Sequence, residues 1–219
     1  MRKCIVTEPS SFQEVVQEPT WVDSMVEYDS IFKNSTWEIF PRPVDKSIVG
    51  SRWIYKVKQA FDGSFEKYMA RFVAWGFSQI ELINYEETFA PVARYSFIRT
   101  ILALSAQMGW CIHKMDAKTV FLNGIIEEEV YIEQPEWFEI FSSESHVCRL
   151  KRALYGMRQA PHAWYTQIDS YFTGLGFTKI EADANLYHIL VEGKLLIIVL
   201  YIDDFILTSV EKMIKSWEF

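Results

Sequence analysis

Two adjacent carboxylates stand in an otherwise apolar stretch near the end of the sequence. Asp203 and Asp204 follow an apolar run at 195–202 and precede a second one at 205–207. Removing two carboxylates from water costs free energy unless a cation or hydrogen bonds compensate. The ordinary alternative is a tight hairpin turn with both side chains in solvent, because Asp is common in turns. The pair by itself supports either a cation site or a turn.

Asp116 repeats this pattern elsewhere in the chain, since it ends the short apolar segment 111–115. Carboxylates at the ends of neighbouring strands suit hard divalent cations, which prefer oxygen ligands. Two such ions about 3.5–4 Å apart stabilise the attacking and leaving oxygens of an in-line phosphoryl displacement. This chemistry requires Asp116 to lie within about 10 Å of Asp203 and Asp204. The spacing alone does not establish that the strands are neighbours.

The apolar spacing predicts the elements that would position these carboxylates. Helical spacing covers 19–34, a second helix opens at Ser96 and closes at Gly109, and a third runs from Pro161 to Gly176. Strands are predicted at 111–115 and 129–134, and hairpins at 48–57 with 65–73 and at 186–191 with 195–201 and 205–208. The predicted class is α+β. Neither a GxGxxG motif nor a P-loop is present to indicate Rossmann or Walker nucleotide binding.

The composition is that of a folded protein with a sizeable core. Half of the 219 residues are hydrophobic and 23% are charged, which excludes intrinsic disorder. The longest apolar run is too short to span a bilayer, and no secretory signal opens the sequence, so we expect an intracellular protein. The three cysteines lack CxxC spacing and the four histidines lack ligand spacing. Reduced thiols are therefore expected, and a histidine-based zinc site has little support.

The charge balance is acidic overall but uneven along the chain. The 22 basic and 29 acidic residues give a formal charge of −7, which argues against a nucleic-acid binder. Two basic clusters stand out: Arg52, Lys56, Lys58, Lys67 and Arg71 in one, and Arg149, Lys151, Arg152 and Arg158 in the other. Either cluster alone is typical of a solvated surface. Together they keep a site for a polyanion open.

Seven ordered stretches carry a resemblance to a known family. They are GSRWIYKVK, DGSFEKYMARFVAWGFSQ, YEETFAPVAR, MDAKTVFLNG, EEVYIEQP, VCRLKRALYGMRQAPHAWY and LYIDDFILTS. From residue 37 to residue 215 the chain resembles the reverse transcriptase domain of copia-type LTR retrotransposon Pol polyproteins. A lone YIDD would be weak support, because four residues recur by chance. Seven blocks in the order and spacing of the family are strong support.

The resemblance implies a right-hand polymerase fold with fingers and a palm, in which helices pack on an antiparallel palm sheet. It divides the chain into an N-terminal acidic, helical segment at 1–36, fingers and palm at 37–215, and a C-terminal end at 216–219. The family's thumb and RNase H domain are expected to be absent. The implied activity is that of an RNA-directed DNA polymerase, and the implied location is the cytoplasm.

The resemblance also implies a set of cofactors and partners. Two Mg²⁺ ions, with Mn²⁺ as a substitute, would serve nucleotidyl transfer. The implied partners are an RNA or DNA template-primer, deoxynucleoside triphosphates and other parts of a Pol polyprotein, and no membrane is expected.

Individual residues take roles from the same resemblance. Asp116, Asp203 and Asp204 match the catalytic carboxylates that bind the two metal ions. The residues that match nucleotide-binding positions are Lys58 and Arg71 on the fingers hairpin, Phe121, which would exclude a sugar 2′-hydroxyl, and Gln159. Without the family, Phe121 would be interpreted as core packing. Without the family, Gln159 would equally be interpreted as a glutamine at a helix N-terminus whose hydrogen bonds are made within the protein.

Several positions depart from the family pattern. Met69 and Trp75 stand where basic residues are usual, and Val120 replaces a customary alanine beside the nucleotide, where added methyl groups crowd a tight pocket. The alternative to a working polymerase is therefore an inactive retroelement remnant with at most weak nucleic-acid or protein binding. An unrelated metal-dependent phosphohydrolase would use the same carboxylates but leave the other blocks unexplained.

Overall fold

The computed structural model describes residues 8–9, 12–17, 21, 26–86, 88, 90–136 and 139–210. The predicted C-terminal end at 216–219 and much of the predicted N-terminal segment lie outside the described residues. The chain forms two compact units. Unit 1 comprises Met1–Thr88 and Phe121–Ala160, and unit 2 comprises Phe89–Val120 and Pro161–Phe219.

The described residues contain helices and strands in a mixed order. The helices are α1 (Phe12–Gln17), α2 (Val26–Lys33), α3 (Tyr95–Met108), α4 (Val120–Asn123) and α5 (Ala160–Gly174), with a 3₁₀ helix at Gly76–Ser78. The strands are β1 (Trp37–Pro41), β2 (Ile48–Val49), β3 (Ser51–Gln59), β4 (Phe65–Ala74), β5 (Cys111–Asp116), β6 (Tyr131–Ile132), β7 (His146–Leu150), β8 (Thr178–Ile180), β9 (Asp183–Val191), β10 (Lys194–Tyr201) and β11 (Asp204–Ser209). No described helix is long and apolar enough to cross a membrane.

The long hairpin of unit 1 confirms the first predicted hairpin from Ser51 onward. The start of the predicted strand is wrong, because Ile48–Val49 form the separate strand β2, which pairs with β6 in another sheet. Strands β3 and β4 pair antiparallel from Ser51 opposite Ala74 outward to the turn. At the turn, the Asp62 carboxylate accepts a hydrogen bond from the Ser64 amide at 2.9 Å, and Gly63 adopts a left-handed φ of 79°. Because side chains alternate across a strand, one face of this hairpin is buried and the other faces solvent.

A four-stranded sheet in the order β1-β7-β6-β2 completes unit 1. The predicted alternating strand at 129–134 is wrong in length and pattern. Only Tyr131 and Ile132 form β6, and these two and Val130 are all buried. β6 is an interior strand between β2 and β7. Its consecutive buried residues show that both of its faces are covered, so the strand does not alternate.

Unit 2 is built on a five-stranded sheet in the order β5-β11-β10-β9-β8. Every neighbouring pair in it is antiparallel. The central strand β10 is buried over five consecutive residues, 196–200, and its apolar run therefore continues without alternation. The predicted second hairpin is confirmed, with β9, β10 and β11 in the expected places.

Two of the three predicted helices are confirmed to within two residues at each end, and the third is confirmed in part. Helix α3 begins at Tyr95, and Gly109 caps its end with a left-handed φ of 65°. Helix α5 buries the predicted Trp164, Ile168 and Phe172. Over 19–34, residues 26–33 are helical as expected, whereas 18–20 and 22–25 lie outside the described residues.

Candidate functional site

The ends of strands β5 and β11 bring the predicted carboxylates of unit 2 together. Asp116 and Asp204 are direct partners in the antiparallel register, and Cα atoms of such partners lie about 4.5–5.5 Å apart. Asp203 immediately precedes Asp204, and its carbonyl accepts a hydrogen bond from the Ala117 amide at 2.9 Å. The expectation that Asp116 lies within about 10 Å of the pair is confirmed.

The carboxylate pair sits on a strained two-residue turn. Tyr201 and Asp204 pair across the hairpin, so Ile202 and Asp203 form its tip. Ile202 has a φ of 58°, a left-handed conformation that is exceptional for a β-branched side chain. The sequence left open either a turn or carboxylates withdrawn from water. The structure has features of both, because the pair lies at a turn and Asp203 and Asp204 are half-buried.

Hydrogen bonds from two other segments hold this turn. The Ile202 amide donates to the Pro91 carbonyl at 2.7 Å, and the Trp164 indole donates to the Ile202 carbonyl at 2.9 Å. The preceding Tyr201 lies against Tyr95, with 3.3 Å between the two hydroxyls, and this hydrogen bond raises the pKa of Tyr201. Strain of this kind persists only where the surroundings over-determine the conformation.

Lys114 is a member of this site that the sequence did not indicate. Its ammonium lies 3.0 Å from the Asp204 carboxylate, and the two side chains are 68% and 33% exposed. Lys114 precedes Asp116 by two residues on β5, so both side chains lie on the same face of the sheet. Only the pairing of β5 with β11 reveals this contact, because the sequence separates the two residues widely.

The donor chemistry of the site fits a divalent cation. Three carboxylates supply hard oxygen ligands at adjoining backbone positions, which is the donor set that Mg²⁺ prefers. Among the described residues, however, no three His, Cys, Asp or Glu side chains converge on one point. The Asp204 carboxylate instead points to Lys114, so a cation there must displace or share that ion pair.

All five cations of the first basic cluster lie on one face of the unit 1 hairpin. In the β3–β4 register, Arg52 stands opposite Val73, Lys56 opposite Met69, and Lys58 opposite Lys67. Arg71 stands opposite Ile54 and falls on the same face by alternation. The buried Tyr55, Ala70, Phe72 and Ala74 lie on the other face. We call the set of five cations the basic face.

Lys58 and Arg71 lie within the basic face but apart along it. Four residues of the hairpin separate their register positions, which corresponds to about 13 Å. Lys58 forms an exposed ion pair with Glu66 at 3.2 Å. The Arg71 guanidinium lies 4.6 Å from the centre of the Tyr155 ring, a distance typical of a cation–π contact. Met69, which departs from the family pattern, lies between Lys58 and Arg71 on this face.

The second basic cluster is engaged within unit 1. Arg149 and Lys151 both pair with Glu38, at 3.6 and 2.6 Å, and the hydrogen bond from Lys151 lowers the pKa of Glu38. Arg152 donates to the Asn123 carbonyl at 2.9 Å. These contacts favour the structural interpretation of Arg149, Lys151 and Arg152 over a role in binding a polyanion.

The remaining candidate residues of unit 1 make internal contacts. Gln159 is buried; its amide donates to the Asn84 carbonyl at 2.7 Å, and its carbonyl oxygen accepts from Gln79 at 3.0 Å. Phe121 is half-buried and packs edge-on against Tyr155, with ring centres 5.1 Å apart. These contacts agree with the structural alternatives that the sequence offered for both residues. Their roles toward a nucleotide stay predictions.

Two further predictions concern Val120 and the cysteines, which lie outside the carboxylate site. Val120, at the alanine position of the family, is 1% exposed, so its added methyl groups lie in packed surroundings. Among the described cysteines, Cys111 and Cys148 are free thiols, as predicted. Cys4 lies outside the described residues.

Comparison with known proteins identifies a family over most of the chain. The family model described as "Reverse transcriptase (RNA-dependent DNA polymerase)" matches residues 34–218. The Retrovirus-related Pol polyprotein from transposon TNT 1-94 of Nicotiana tabacum is 36% identical over 210 residues, which cover 94% of this chain and 16% of that protein. The corresponding polyprotein from transposon RE1 of Arabidopsis thaliana is 36% identical over 206 residues, 93% of this chain and 14% of that protein.

A fungal relative extends the similarity at a lower level. The Transposon Ty1-ER2 Gag-Pol polyprotein of Saccharomyces cerevisiae is 27% identical over 194 residues, which cover 84% of this chain and 10% of that protein. The chain spans less than a fifth of the length of these relatives. The family match confirms the resemblance drawn from the seven sequence blocks, and the chain belongs to the reverse transcriptase (RNA-dependent DNA polymerase) family.

Proposed function

We propose that this chain is the fingers and palm of an RNA-directed DNA polymerase, with unit 1 as fingers and unit 2 as palm. It would extend a primer on an RNA or DNA template with deoxynucleoside triphosphates. The observation that carries the proposal is the register of β5 and β11, in which Asp116 and Asp204 are partners and Asp203 is adjacent. This register supports the proposal because it brings the backbones of three carboxylate residues to one strand end, from which a two-metal reaction would draw its oxygen ligands.

The carboxylates of unit 2 would act by holding cations and orienting oxygens. Asp116, Asp203 and Asp204 would bind two Mg²⁺ ions, with Mn²⁺ as a substitute. When bound, such ions stabilise the charge on the attacking and leaving oxygens of the phosphoryl transfer. The hydrogen-bonded turn at Ile202 fixes the backbone of the pair, and this preorganisation avoids a reorganisation cost during the reaction.

The residues of unit 1 would bind the anionic substrates. Lys58 and Arg71 would neutralise the triphosphate, and the planar fork of Arg71 suits bidentate contacts with phosphate oxygens. Phe121 would select against a 2′-hydroxyl, and Gln159 would contact the nucleotide. The support for these roles is the family match together with the basic face; Gln159 would first have to release its internal partners.

A second candidate is a catalytically inactive remnant that retains weak nucleic-acid or protein binding. Two observations favour it. The Lys114 ammonium forms an ion pair with the Asp204 carboxylate, and the side-chain amide of Gln159 makes its hydrogen bonds within unit 1. In this case the basic face would bind phosphates without turnover.

Primer extension separates the two candidates. The purified chain is incubated with an RNA template, a DNA primer and deoxynucleoside triphosphates, with and without Mg²⁺. Asp203→Asn tests the site, and Asp45→Asn, at an exposed position of unit 1, is the matched control. Metal-dependent extension that Asp203→Asn abolishes and Asp45→Asn retains supports the polymerase. Absence of extension from protein that unfolds cooperatively supports the remnant.

The biological setting is also a proposal. The relatives are polyproteins of which this chain matches a small part, and we propose that the chain works beside other parts of a Pol polyprotein in the cytoplasm.

A further inference from the structure

An exposed aromatic pair stands at the base of the unit 1 hairpin. Trp75 follows β4 directly, and Phe77 lies in the 3₁₀ helix after it. Their rings are stacked, with centres 5.7 Å apart and planes 20° from parallel. Trp75 is 39% exposed and Phe77 is 77% exposed. Two large apolar rings exposed side by side to solvent are typical of a binding surface.

The backbone holds this pair in a fixed position. The Trp75 amide donates to the Gly50 carbonyl at 2.8 Å, and a Cβ at Gly50 would lie only 2.3 Å from the Trp75 ring. The ring therefore lies directly on the Gly50 backbone. A Cβ at Gly76, between the two aromatic residues, would lie 2.1 Å from the Gly156 carbonyl oxygen. These close approaches position the pair before any ligand arrives.

The pair is flanked by two arginines. A cavity of about 410 Å³ is lined by Trp75 and Phe77 together with Arg52 and Arg158, and no acidic residue is among the described residues that line it. Arg158 is oriented by its own hydrogen bond to the Gly76 carbonyl at 3.1 Å. Arg52 is the member of the basic face nearest the base of the hairpin, so the basic face runs up to the aromatic pair.

We propose that Trp75 and Phe77 form a stacking platform for an unpaired base of a single-stranded nucleic acid. A base would stack on the exposed Phe77 ring, and Arg52 and Arg158 would contact adjoining phosphates. A basic track beside aromatic rings is the arrangement that binds single strands without reading sequence. The inference rests on the proposed function in that the chain handles nucleic acid, but it requires neither the carboxylates nor a metal ion.

The platform also explains the departure at position 75. A tryptophan in place of a basic residue removes a charge from the hairpin but adds a ring that can stack. Stacking of a base on an aromatic side chain contributes a factor of about 5–150 to affinity. The substitution therefore exchanges a salt-sensitive contact for one that persists at higher ionic strength.

The test measures binding of a fluorescent 12-nucleotide oligothymidine to the full chain by anisotropy, without divalent cations or triphosphates. We expect Phe77→Ala to weaken binding by about 5- to 150-fold and Phe77→Trp to retain it. Phe61→Ala is the matched control, because Phe61 is fully exposed at the hairpin tip, and should change affinity less than twofold. Removing an exposed ring leaves the core intact, and the unfolding midpoint of each variant verifies this.

A second probe separates stacking from charge. An oligonucleotide with abasic sites keeps the phosphates but removes the bases, so the unmodified chain should bind it more weakly than oligothymidine. Phe77→Ala should bind both probes alike. Arg52→Gln should instead reduce the dependence of log affinity on log salt by about 0.7 for the lost phosphate contact.

Three results would overturn the platform: no binding of oligothymidine by the unmodified chain, equal binding of the abasic probe, or unchanged affinity in Phe77→Ala. Primer extension with the same preparation is scored separately. Extension with unchanged Phe77→Ala binding would reject the platform and keep the polymerase. Loss of binding in Phe77→Ala without any extension would keep the platform and reject the polymerase.

Discussion

Replacing Lys114 with glutamine tests whether its ammonium competes with a divalent cation for the Asp204 carboxylate. The two groups lie 3.0 Å apart in the described site, and a cation bound to Asp204 must displace the ammonium or share the carboxylate with it. Glutamine keeps most of the side-chain length and removes the charge. We therefore expect Lys114→Gln to bind Mn²⁺ more tightly than the unmodified chain.

The exposure of the pair sets the size of this effect. Lys114 is 68% exposed and Asp204 is 33% exposed, so solvent screens their attraction and the pair contributes about 0.2–1 kcal/mol. Removing that competition corresponds to an affinity gain of about 1.4- to 5-fold. The gain should shrink as salt is raised toward 1 M, because the Debye length falls from about 10 Å at 0.1 M to about 3 Å.

Titration with Mn²⁺, followed through the electron paramagnetic resonance of the free ion, measures this affinity without substrates. Lys194→Gln is the matched control, because Lys194 lies on the same sheet at the opposite end of β10 from the Asp203 turn. An equal gain in Lys194→Gln would show a general charge effect. No gain in Lys114→Gln at low salt, or the same gain in the Asp204→Asn background, would refute the competition.

Four further predictions concern stability and reactivity. Ile202→Gly should raise the free energy of unfolding by about 0.5–1 kcal/mol, since it relieves the left-handed strain. Ile206→Gly, on the strand that follows, is the control and should lower it. Urea unfolding measures both variants, and a lower free energy of unfolding in Ile202→Gly would contradict the strain. Gln159→Ala should cost about 1–3 kcal/mol in the same assay because it leaves buried polar partners unsatisfied, and a change below 0.5 kcal/mol would argue against that role. Burial raises the pKa of Cys148 to about 12, so iodoacetamide at pH 8.5 should alkylate the half-buried Cys111 before Cys148. A preference for Cys148 in peptide mapping would contradict the burial. Because the folded pKa of Cys148 exceeds the unfolded value near 9, the stability gained by burying the neutral thiol is complete below pH 9 and is lost as pH rises toward 12.

Local pattern predicted the parts of the molecule whose side chains follow one period. The unit 1 hairpin has strand-like spacing on both sides of an Asp62-Gly63 turn, and helix α5 repeats its apolar residues at helical spacing, so both could be located from the sequence. The meeting of Asp116 with Asp204 needed one more assumption, that two apolar strands ending in Asp are neighbours. The β5–β11 register supplies that fact.

Features that depend on pairing between distant segments could not be predicted. The strand at Tyr131–Ile132 does not alternate, because other parts of the chain cover both of its faces. Lys114 gives no sign in the sequence that it will meet Asp204. The internal hydrogen bonds of Gln159 likewise depend on segments about 75 residues away. In each case the determining partner lies far along the chain, where periodicity carries no information.

The acidic net charge and a polyanion-binding role are compatible because the charges are segregated. Unit 1 places five cations on one hairpin face by alternation, while Arg149 and Lys151 of the second cluster are neutralised by Glu38. Net charge governs long-range, non-specific attraction, whereas a local field of one sign governs where an anion binds. We therefore expect a phosphate backbone to bind along the hairpin, where two of the five cations would exchange their exposed ion pairs with glutamates for phosphate contacts. The proposed path of a nucleic acid follows this face to the Trp75 and Phe77 rings.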